Sequence, residues 1–238
     1  KRNAISRGVI QGMMSILREI ENDDSIKVVT TTGAGNVAWS AGYDMDYLAG
    51  LIHGNASRPE DSGLEMNEML RNSSKVTIAV VNGYCLGGAV TVLLSHDLAI
   101  ASDRAVFGQH GGKRAGAPMF WGTTLMSPFV GERKAREIIF LSREYSAQQA
   151  LEMGLVNAVV PHEQLYKEVD KWCDEVLEMS PTSLRILKTS MNAKTDAMYS
   201  TLFHARDLID LFSDSPERLE GTRAWVEGRK PDFNQFRK

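Results

Sequence analysis

The stretch Val81–Ser102, VNGYCLGGAVTVLLSHDLAIAS, holds two apolar runs separated by glycines and a helix-like segment. The first run ends at Gly83, and Gly87 and Gly88 stand directly before the helical pattern. Paired glycines where a helix begins indicate that another group approaches the backbone closely, because glycine has no side chain. The first N–H groups of a helix also have no partner within it and lie at the positive end of its dipole. The stretch therefore predicts a strand, a tight turn and a helix that begins at Gly88.

Two phosphate-binding glycine motifs do not fit this stretch. No Gly-Lys-Ser/Thr follows the glycine pair, as a Walker loop requires, and the third glycine of the dinucleotide fingerprint is missing. Taken alone, the pattern is equally explained by a tight turn with close packing of a strand on a helix.

Strand and helix patterns alternate along the first 160 residues. Ser6 precedes apolar residues at helical spacing and predicts a capped first helix. Strands are predicted at 25–31, 76–81, 98–101 and 155–160, and helices at 65–70, 88–94, 132–141 and 147–153. Residues 50–62 and 108–122 are rich in glycine, proline or polar residues and predict loops. The alternation predicts an α/β fold with a mostly parallel sheet.

The C-terminal part shows helical patterns only, at about 163–178, 181–193, 196–212 and 215–228. We therefore divide the chain into an α/β core, residues 1–180, and a helical C-terminal segment, residues 181–238. This segment is too small to bury its own apolar side chains. Those that need a partner surface are Leu202, Phe203, Leu208, Ile209, Leu211 and Phe212. The partner is either the core of the same chain or a second subunit, and we expect an oligomer.

The composition excludes several classes of protein. The chain of 238 residues is 43% hydrophobic and 24% charged with a net charge of -3, which is typical of a globular domain. This balance gives no basis for nucleic-acid binding, and no apolar run approaches the roughly 20 residues that span a bilayer. Two cysteines, Cys85 and Cys173, indicate neither a disulfide framework nor a zinc site, and they favour a reducing compartment. We expect a cytoplasmic protein with no metal site and no membrane partner.

Five landmarks, taken in chain order, are similar to those of one enzyme family. They are Lys1-Arg2-Asn3-Ala4-Ile5, Ala41-Gly42-Tyr43-Asp44, Val81–Gly88, Phe107-Gly108-Gln109, and Ser146-Ala147 with Gly154-Leu155-Val156. Together they resemble the crotonase superfamily, the enoyl-CoA hydratase/isomerase family, over nearly the whole chain. The resemblance implies a crotonase fold, a ClpP-like spiral of ββα units, with a helical C-terminal oligomerisation segment and assembly into a trimer or hexamer. The family opens with a β-hairpin before its Arg-Asn-Ala segment, so we expect further residues before Lys1.

The resemblance implies that the chain acts on an acyl-CoA thioester and needs no cofactor beyond the CoA of its substrate. It implies that the thioester oxygen lies in an oxyanion hole, between the backbone N–H groups of Tyr43 and Gly88. Donors aimed at a developing oxyanion are often the largest contribution to catalysis, and losing one costs ~2.7–4 kcal/mol. The residues that the resemblance assigns to CoA binding are Asn3, Ala4, Ala41, Gly42, Asp44 and Gly87.

Both acids that hydratases of this family use are missing. The first stands three residues after the oxyanion glycine, where this chain has Thr91, and the second ends a Phe-Gly-x-Pro-Glu motif, where it has Gly111. Water addition by the two-glutamate route is therefore not expected, because no general base is present at either place. His110 beside the second position is the titratable candidate, since histidine titrates near neutral pH. The alternative is a loop histidine with no role.

The scaffold is most similar to one branch of the family. Phe107-Gly108-Gln109, the predicted helix at 134–138 and the tail at 229–233 resemble the branch of 1,4-dihydroxy-2-naphthoyl-CoA synthase and 2-ketocyclohexanecarboxyl-CoA hydrolase. That branch makes or breaks carbon–carbon bonds beside the thioester. Its catalytic Ser-x-Asp falls on Gly116 and Pro118 here, so its acid is missing as well.

Further residues are candidates by position. We expect Thr91 to orient a water or a substrate group, or else only to fill its helix. The resemblance implies an acyl pocket shaped by Gly111, Phe120 and Trp121, and the alternative for the two aromatic residues is ordinary core packing. His96 is expected to be a packed or capping residue.

Three functions remain open. The broad interpretation is an enzyme of the enoyl-CoA hydratase/isomerase type, a lyase or isomerase, which forms an enolate with an atypical acid/base set. The second is a β-keto-acyl-CoA hydrolase (retro-Claisen) or a decarboxylase, because loss of CO₂ generates the enolate without a base. The third is a homologue that binds CoA esters without turnover.

Overall fold

The computed structural model describes residues 2–52, 63–117, 121–213 and 215–237. Within these ranges the strands are β1 (Val28–Thr32), β2 (Ala38–Ser40), β3 (Val76–Val81), β4 (Tyr84–Leu86), β5 (Leu98–Ser102), β6 (Val106–Gly108), β7 (Glu144–Ser146) and β8 (Ala158–Val160). The helices are α1 (Arg7–Glu21), α2 (Met45–Ile52), α3 (Gly63–Asn72), α4 (Gly88–Leu94), α5 (Trp121–Thr124), α6 (Met126–Val130), α7 (Glu132–Leu141), α8 (Ala147–Glu152), α9 (Leu165–Leu177), α10 (Pro181–Asp196), α11 (Tyr199–Ser213) and α12 (Pro216–Val226). None of the helices in this part of the chain has both the length and the apolar character needed to cross a membrane.

The first sheet is the parallel sheet that the sequence predicted. Its strand order is β1-β3-β5-β8, and each neighbouring pair is parallel. β3 is buried on both faces: Ile78 and Val80 pack toward α9, whereas Ala79 and Val81 belong to the main core. This is the burial expected of a central strand covered by helices on both sides. The α/β fold with a helical C-terminal region is thereby confirmed.

A second sheet, with the order β2-β4-β6-β7, was not predicted. Each of its strands has three residues, too few for an alternating pattern to show in the sequence. The predicted loop at 108–122 is wrong at both ends, because Gly108 ends β6 and residues 121–122 begin α5. Between them a 3₁₀ turn lies at Gly111–Arg114, and residues 118–120 lie outside the described residues. The predicted loop at 50–62 is wrong for residues 50–52, which end α2, and its remainder lies outside the described residues.

The turn between β3 and β4 requires the glycine that ends the first apolar run. A Cβ atom on Gly83 would lie 2.4 Å from the carbonyl oxygen of Val37. Asn82 fixes the same loop, since its Nδ2 donates to the carbonyl oxygens of Gly33 and Gly35 at 2.7 Å. The break at Gly83 therefore reflects the close passage of another backbone segment.

Two buried cations join the C-terminal helices to the core. Arg71 at the end of α3 donates to the carbonyl oxygen of Asn192 at 2.8 Å and lies 2.7 Å from the carboxylate of Asp196. Lys188 on α10 lies 2.7 Å from the carboxylate of Asp97, at the start of β5. Each cation is paired and hydrogen-bonded, as burial of a charge requires.

The apolar residues predicted to need a partner surface divide into two groups. Leu202 is buried in the main core, so part of the partner is the same chain. Leu208 and Leu211 are 44% and 80% exposed in the single chain. Ile209 and Phe212 are half-buried, and the side chain of Phe203 lies outside the described residues. The helical segment thus covers the core with one face and leaves apolar side chains on another.

His96 is a packed residue, as expected. Its Nδ1 lies 2.8 Å from the carbonyl oxygen of Val92, which only accepts, so Nδ1 carries the proton. Nε2 of the neutral ring then accepts from the hydroxyl of Thr31 at 2.9 Å. Burial lowers the pKa of His96 to about 4, because the charged ring would lose its hydration.

The free energy of unfolding is expected to fall as the pH is lowered from about 6.5 to about 4. In this window the unfolded chain binds a proton at His96 and the folded chain does not, so acid favours unfolding by at most ~3 kcal/mol. Above pH 6.5 this histidine contributes no pH dependence. Urea unfolding at several pH values checks the slope, with His96→Gln as the uncharged control. Equal slopes for both proteins would contradict the assignment.

Candidate active site

Two glycine-containing segments meet where α4 begins. A Cβ atom on Gly42 would lie 2.6 Å from the carbonyl oxygen of Leu86 and 3.1 Å from the backbone nitrogen of Gly88. Gly42 and Gly87 both have positive φ, +89° and +58°. Gly42 therefore requires glycine for contact and for conformation, and Gly87 requires it for conformation. The backbones that follow them, at Tyr43 and Gly88, are therefore brought side by side.

A parallel bridge to the N-terminal segment orients Tyr43. The N–H of Ile5 donates to the carbonyl oxygen of Gly42 at 2.8 Å, and the N–H of Asp44 donates to that of Ile5 at 3.0 Å. In such a bridge the N–H of the central residue points to the opposite side. The N–H of Tyr43 thus faces away from Ile5, and it meets no acceptor among the described residues.

Gly88 is the first residue of α4, and the turn before it is fixed by the second sheet. The N–H of Gly87 donates to the carbonyl oxygen of Gly108 at 2.8 Å, at the end of β6. The N–H of Gly88 has no acceptor in the part of the chain that the structure describes. Two unpaired N–H groups on adjacent backbones can polarise one carbonyl oxygen.

The side chain of Tyr43 packs on Gly88. A Cβ atom on Gly88 would lie 2.4 Å from Cδ2 of Tyr43, so only a hydrogen fits under the ring. The hydroxyl reaches Gly63, where a Cβ atom would lie 2.0 Å from it. Burial raises the pKa of Tyr43 to about 12, and the phenol is therefore neutral at physiological pH. The ring connects the first residues of α3 and α4.

The residues that the resemblance assigns to CoA binding lie on three segments, of which Gly87 belongs to the turn before α4 that contacts Gly42. Asn3 donates through Nδ2 to the carbonyl oxygen of Ala38 at 2.7 Å, and the N–H of Ala41 donates to the carbonyl oxygen of Arg2 at 3.1 Å. Asp44 accepts through Oδ1 from a backbone N–H at the start of α2, at 2.9 Å, which is a loop-shaping contact. The Asn3–Ala4 and Ala41–Asp44 segments are thereby held beside each other.

Thr91 and Gly111 occupy the two positions where hydratases carry an acid. Thr91 stands one turn after Gly88 on α4, which places both on one face of the helix, and its side chain is buried. Gly111 opens the 3₁₀ turn, and its carbonyl oxygen accepts from the N–H of Gly116 at 2.8 Å. Neither supplies a titratable group.

The ring of His110 folds back over the second sheet. Its Nε2 lies 3.2 Å from a carboxylate oxygen of Glu144 on β7, without the angles of a hydrogen bond, and would lie 3.1 Å from a Cβ atom on Gly108. Burial lowers the pKa of His110, and the carboxylate of Glu144 partly opposes this shift. Lys113 and Arg114 lower it further. The neutral ring, which can accept a proton, is therefore favoured.

Gln109 is a site residue that the sequence analysis did not single out. It directly follows Gly108, whose carbonyl oxygen fixes the turn before Gly88, and it is 2% exposed. Its Nε2 has no hydrogen-bond partner among the described residues. Buried amides are normally paired. No sequence pattern indicates this burial, because a glutamine after a strand usually faces solvent.

Trp121 begins α5 and is fully buried in the main core. The guanidinium of Arg71 lies 4.8 Å from its ring centroid, and the ring of Tyr199 meets it edge-on at 5.2 Å. The core-packing alternative thus describes its surroundings, while a role in the pocket stays a prediction. Phe120, the other predicted pocket aromatic, lies outside the described residues.

Replacing Gly42 by Ala is expected to destabilise the protein by about 2 kcal/mol or more, because the added carbon meets Leu86 and the φ angle is unfavourable. Gly12→Ala is the matched control: a Cβ atom there meets nothing within 4 Å, and the residue lies within α1. That change should stabilise by ~0.5–1 kcal/mol. Urea unfolding measures both, and equal effects would contradict the close contact.

Comparisons with known proteins agree with this arrangement of the fold. The chain has 26% sequence identity with a solved structure of methylmalonyl-CoA decarboxylase in complex with 2-nitronate-propionyl-CoA, over 98% of this chain and 90% of that chain, with a TM-score of 0.86. An enoyl-CoA hydratase from Mycobacterium avium subsp. paratuberculosis K-10 is also 26% identical, over 97% and 89% of the two chains, with a TM-score of 0.83. A family model described as enoyl-CoA hydratase/isomerase matches residues 1–237. Because the match covers nearly the whole sequence, this chain belongs to the enoyl-CoA hydratase/isomerase family.

Proposed function

We propose that this chain binds an acyl-CoA and stabilises the enolate of its thioester between the N–H groups of Tyr43 and Gly88. The observation that carries the proposal is this pair of unpaired N–H groups, each directly after a glycine of positive φ, on backbones in contact. Donors that are fixed in advance stabilise a developing oxyanion without reorganisation. Membership of the family and the likeness to a decarboxylase bound to a CoA ester support the choice of substrate.

In this arrangement CoA is part of the substrate, and no other cofactor takes part. The adenine lies near Asn3 and Ala4, and the thioester end runs along Ala41–Asp44 toward Gly87. The support is the hydrogen bonding that holds the two segments side by side and leads directly to the Tyr43 N–H.

Cleavage of a carbon–carbon bond is the second candidate function, because neither Thr91 nor Gly111 supplies a carboxylate. In decarboxylation of a malonyl-type ester, the bond to the carboxylate breaks and its electron pair forms the enolate. CO₂ leaves, and the α-carbon then takes a proton from water, so the first step needs no protein base. In retro-Claisen hydrolysis water attacks the β-keto carbon, and His110 is the group we propose to accept the proton of that water. The bond between the α- and β-carbons then breaks, its electron pair forms the enolate, and the β-carbon leaves as a carboxylic acid. The α-carbon finally takes up a proton. The resemblance to the branch with 1,4-dihydroxy-2-naphthoyl-CoA synthase agrees with chemistry at a carbon–carbon bond.

We also propose that the chain forms a homotrimer or hexamer. Leu187 and Met191 on α10 are 57% and 79% exposed, and Leu211 on α11 is 80% exposed. Exposed apolar side chains on successive helices favour a subunit interface.

The carbonyl stretching frequency of a bound acyl-CoA thioester is expected to fall relative to that of the free ester, because both N–H groups polarise the oxygen. Difference infrared spectroscopy with ¹³C-labelled ester measures the shift. Gly88→Ala should reduce it, since the added carbon displaces the ring of Tyr43 and with it the second donor. Gly12→Ala should leave it unchanged. An unshifted carbonyl in the unmodified protein would overturn the oxyanion hole.

Mass spectrometry with a panel of esters then decides the reaction. Turnover of malonyl-type or β-keto esters, with enoyl esters left unchanged, is the outcome expected from the missing acids. Hydration of an enoyl ester would show instead that another group replaces the two glutamates. Binding of all esters without turnover would identify the chain as a CoA-ester-binding homologue.

If His110 is the base of the reaction, kcat/KM should fall on the acid side with a pKa below 6.5, the ordinary value for histidine. Glu144→Gln should move this limb to lower pH, because the carboxylate of Glu144 raises the pKa of His110. His110→Gln should abolish turnover. A full rate in His110→Gln, or an acid limb that ignores Glu144→Gln, would remove this histidine from the mechanism.

A further inference from the structure

The ring of Tyr43 lies between two glycines, one at the start of α3 and one at the start of α4. A Cβ atom on Gly63 would lie 2.0 Å from the hydroxyl oxygen of Tyr43, 3.0 Å from Cζ and 3.2 Å from Cε1. A Cβ atom on Gly88 would lie 2.4 Å from Cδ2 and 2.6 Å from Cε2 of the same ring. Cε1 and Cε2 are on opposite edges of the ring. The ring is therefore held from both sides, and a methyl group fits at neither glycine.

Backbone conformation does not explain these two glycines. Gly63 and Gly88 are the first residues of their helices, and neither has a positive φ, in contrast to Gly42 and Gly87. Alanine adopts helical φ and ψ more readily than glycine does. The space that the ring of Tyr43 occupies is therefore the reason why neither residue carries a side chain.

The helix α3 is held in place against a push from the ring. Met66 and Leu70 on its buried side are 1% and 0% exposed and belong to the main core. Arg71 fixes its last turn, since the guanidinium lies 2.7 Å from the carboxylate of Asp196 and donates to the hydroxyl of Thr195 at 2.5 Å. Moving a close-packed helix disrupts many contacts at once, whereas one ring shifts with fewer. A carbon added to Gly63 therefore displaces Tyr43.

We propose that Gly63 is a positioning residue of the oxyanion hole: the space at its missing side chain lets the ring hold the N–H of Tyr43 beside that of Gly88. Ring and N–H belong to one residue, so a displaced ring moves the donor. The bridge to Ile5 holds this backbone from the other side only. Hydrogen bonds weaken steeply as their angle falls toward about 120°. The proposal rests on the proposed acyl-CoA site and adds a residue that acts through Tyr43.

Difference infrared spectroscopy of a bound ¹³C-labelled acyl-CoA tests the proposal in a double-mutant cycle. Gly63→Ala should reduce the carbonyl shift by about half or more, because one of the two donors is misaligned. Tyr43→Phe removes the oxygen that the added carbon meets and keeps the backbone N–H. The remaining contact, 3.0 Å to Cζ, requires a smaller adjustment. In the Tyr43→Phe background Gly63→Ala should therefore change the shift by less than about a third as much.

Gly8→Ala is the matched control. Gly8 also lies in the first turn of a helix, α1, and a Cβ atom there would meet only Oγ of Ser6, at 3.9 Å. This change should leave the carbonyl shift as it is in both backgrounds. Thermal melts of the same proteins separate the role in the site from a purely structural one. A Gly63→Ala protein with a lower melting temperature and an unchanged shift would show that α3 yields and not Tyr43, and would overturn the proposal.

The proposal is also overturned if Gly63→Ala reduces the carbonyl shift equally with and without Tyr43→Phe. If Gly63→Ala alone does not fold, the double variant decides. A folded double variant with a shifted carbonyl supports the collision with the hydroxyl, and an unfolded one contradicts it. An unshifted carbonyl in the unmodified protein would instead overturn the oxyanion hole, and this proposal with it, which distinguishes the two failures.

Discussion

The close approach of two backbones at Gly42 and Gly87 is the constraint on which the rest of the site depends. A single carbon added at Gly42 would collide with the carbonyl oxygen of Leu86. Both glycines also adopt φ angles that side chains disfavour, and each stands directly before one of the two unpaired N–H groups. The bridge from Ile5 on one side and the hydrogen bond from Gly87 to β6 on the other hold this contact from two directions. The two sheets, the N-terminal segment and α4 thus all serve to position one small patch of backbone.

The fold could be predicted from the sequence where a pattern is long enough to repeat. The side-chain caps at Ser6 and Ser146 are present, and the apolar runs at 76–81 and 98–101 are the central strands of the first sheet. The strands of the second sheet could not be predicted, because three residues contain no measurable period. They exist because distant segments meet: Gly108 pairs with Leu86 on one side and with Glu144 on the other.

The candidate site likewise contains residues that the sequence predicts and residues that it does not. Tyr43 and Gly88 follow from glycine patterns and from the family resemblance, since both act through the backbone and a motif preserves backbone geometry. Gln109 could not be identified in this way, because an amide after a strand usually faces solvent. Only the fold shows that it is buried and that its Nε2 is unpaired among the described residues. Buried polarity of this kind depends on which other chain segments arrive, and a local sequence window does not contain that information.

The two ion pairs between the core and the C-terminal helices limit which helical segment could replace the one in this chain. The guanidinium of Arg71 belongs to the core and its carboxylate partner Asp196 to the tail, whereas the carboxylate of Asp97 belongs to the core and its ammonium partner Lys188 to the tail. A tail grafted from a relative would have to bring one cation and one anion, eight residues apart on a single helix. A tail without them would leave the charges of Arg71 and Asp97 in the core unpaired. The resulting loss of folding free energy would exceed that from the lost apolar contacts alone. Replacement of the C-terminal segment of this chain is therefore constrained by the order of charges along α10.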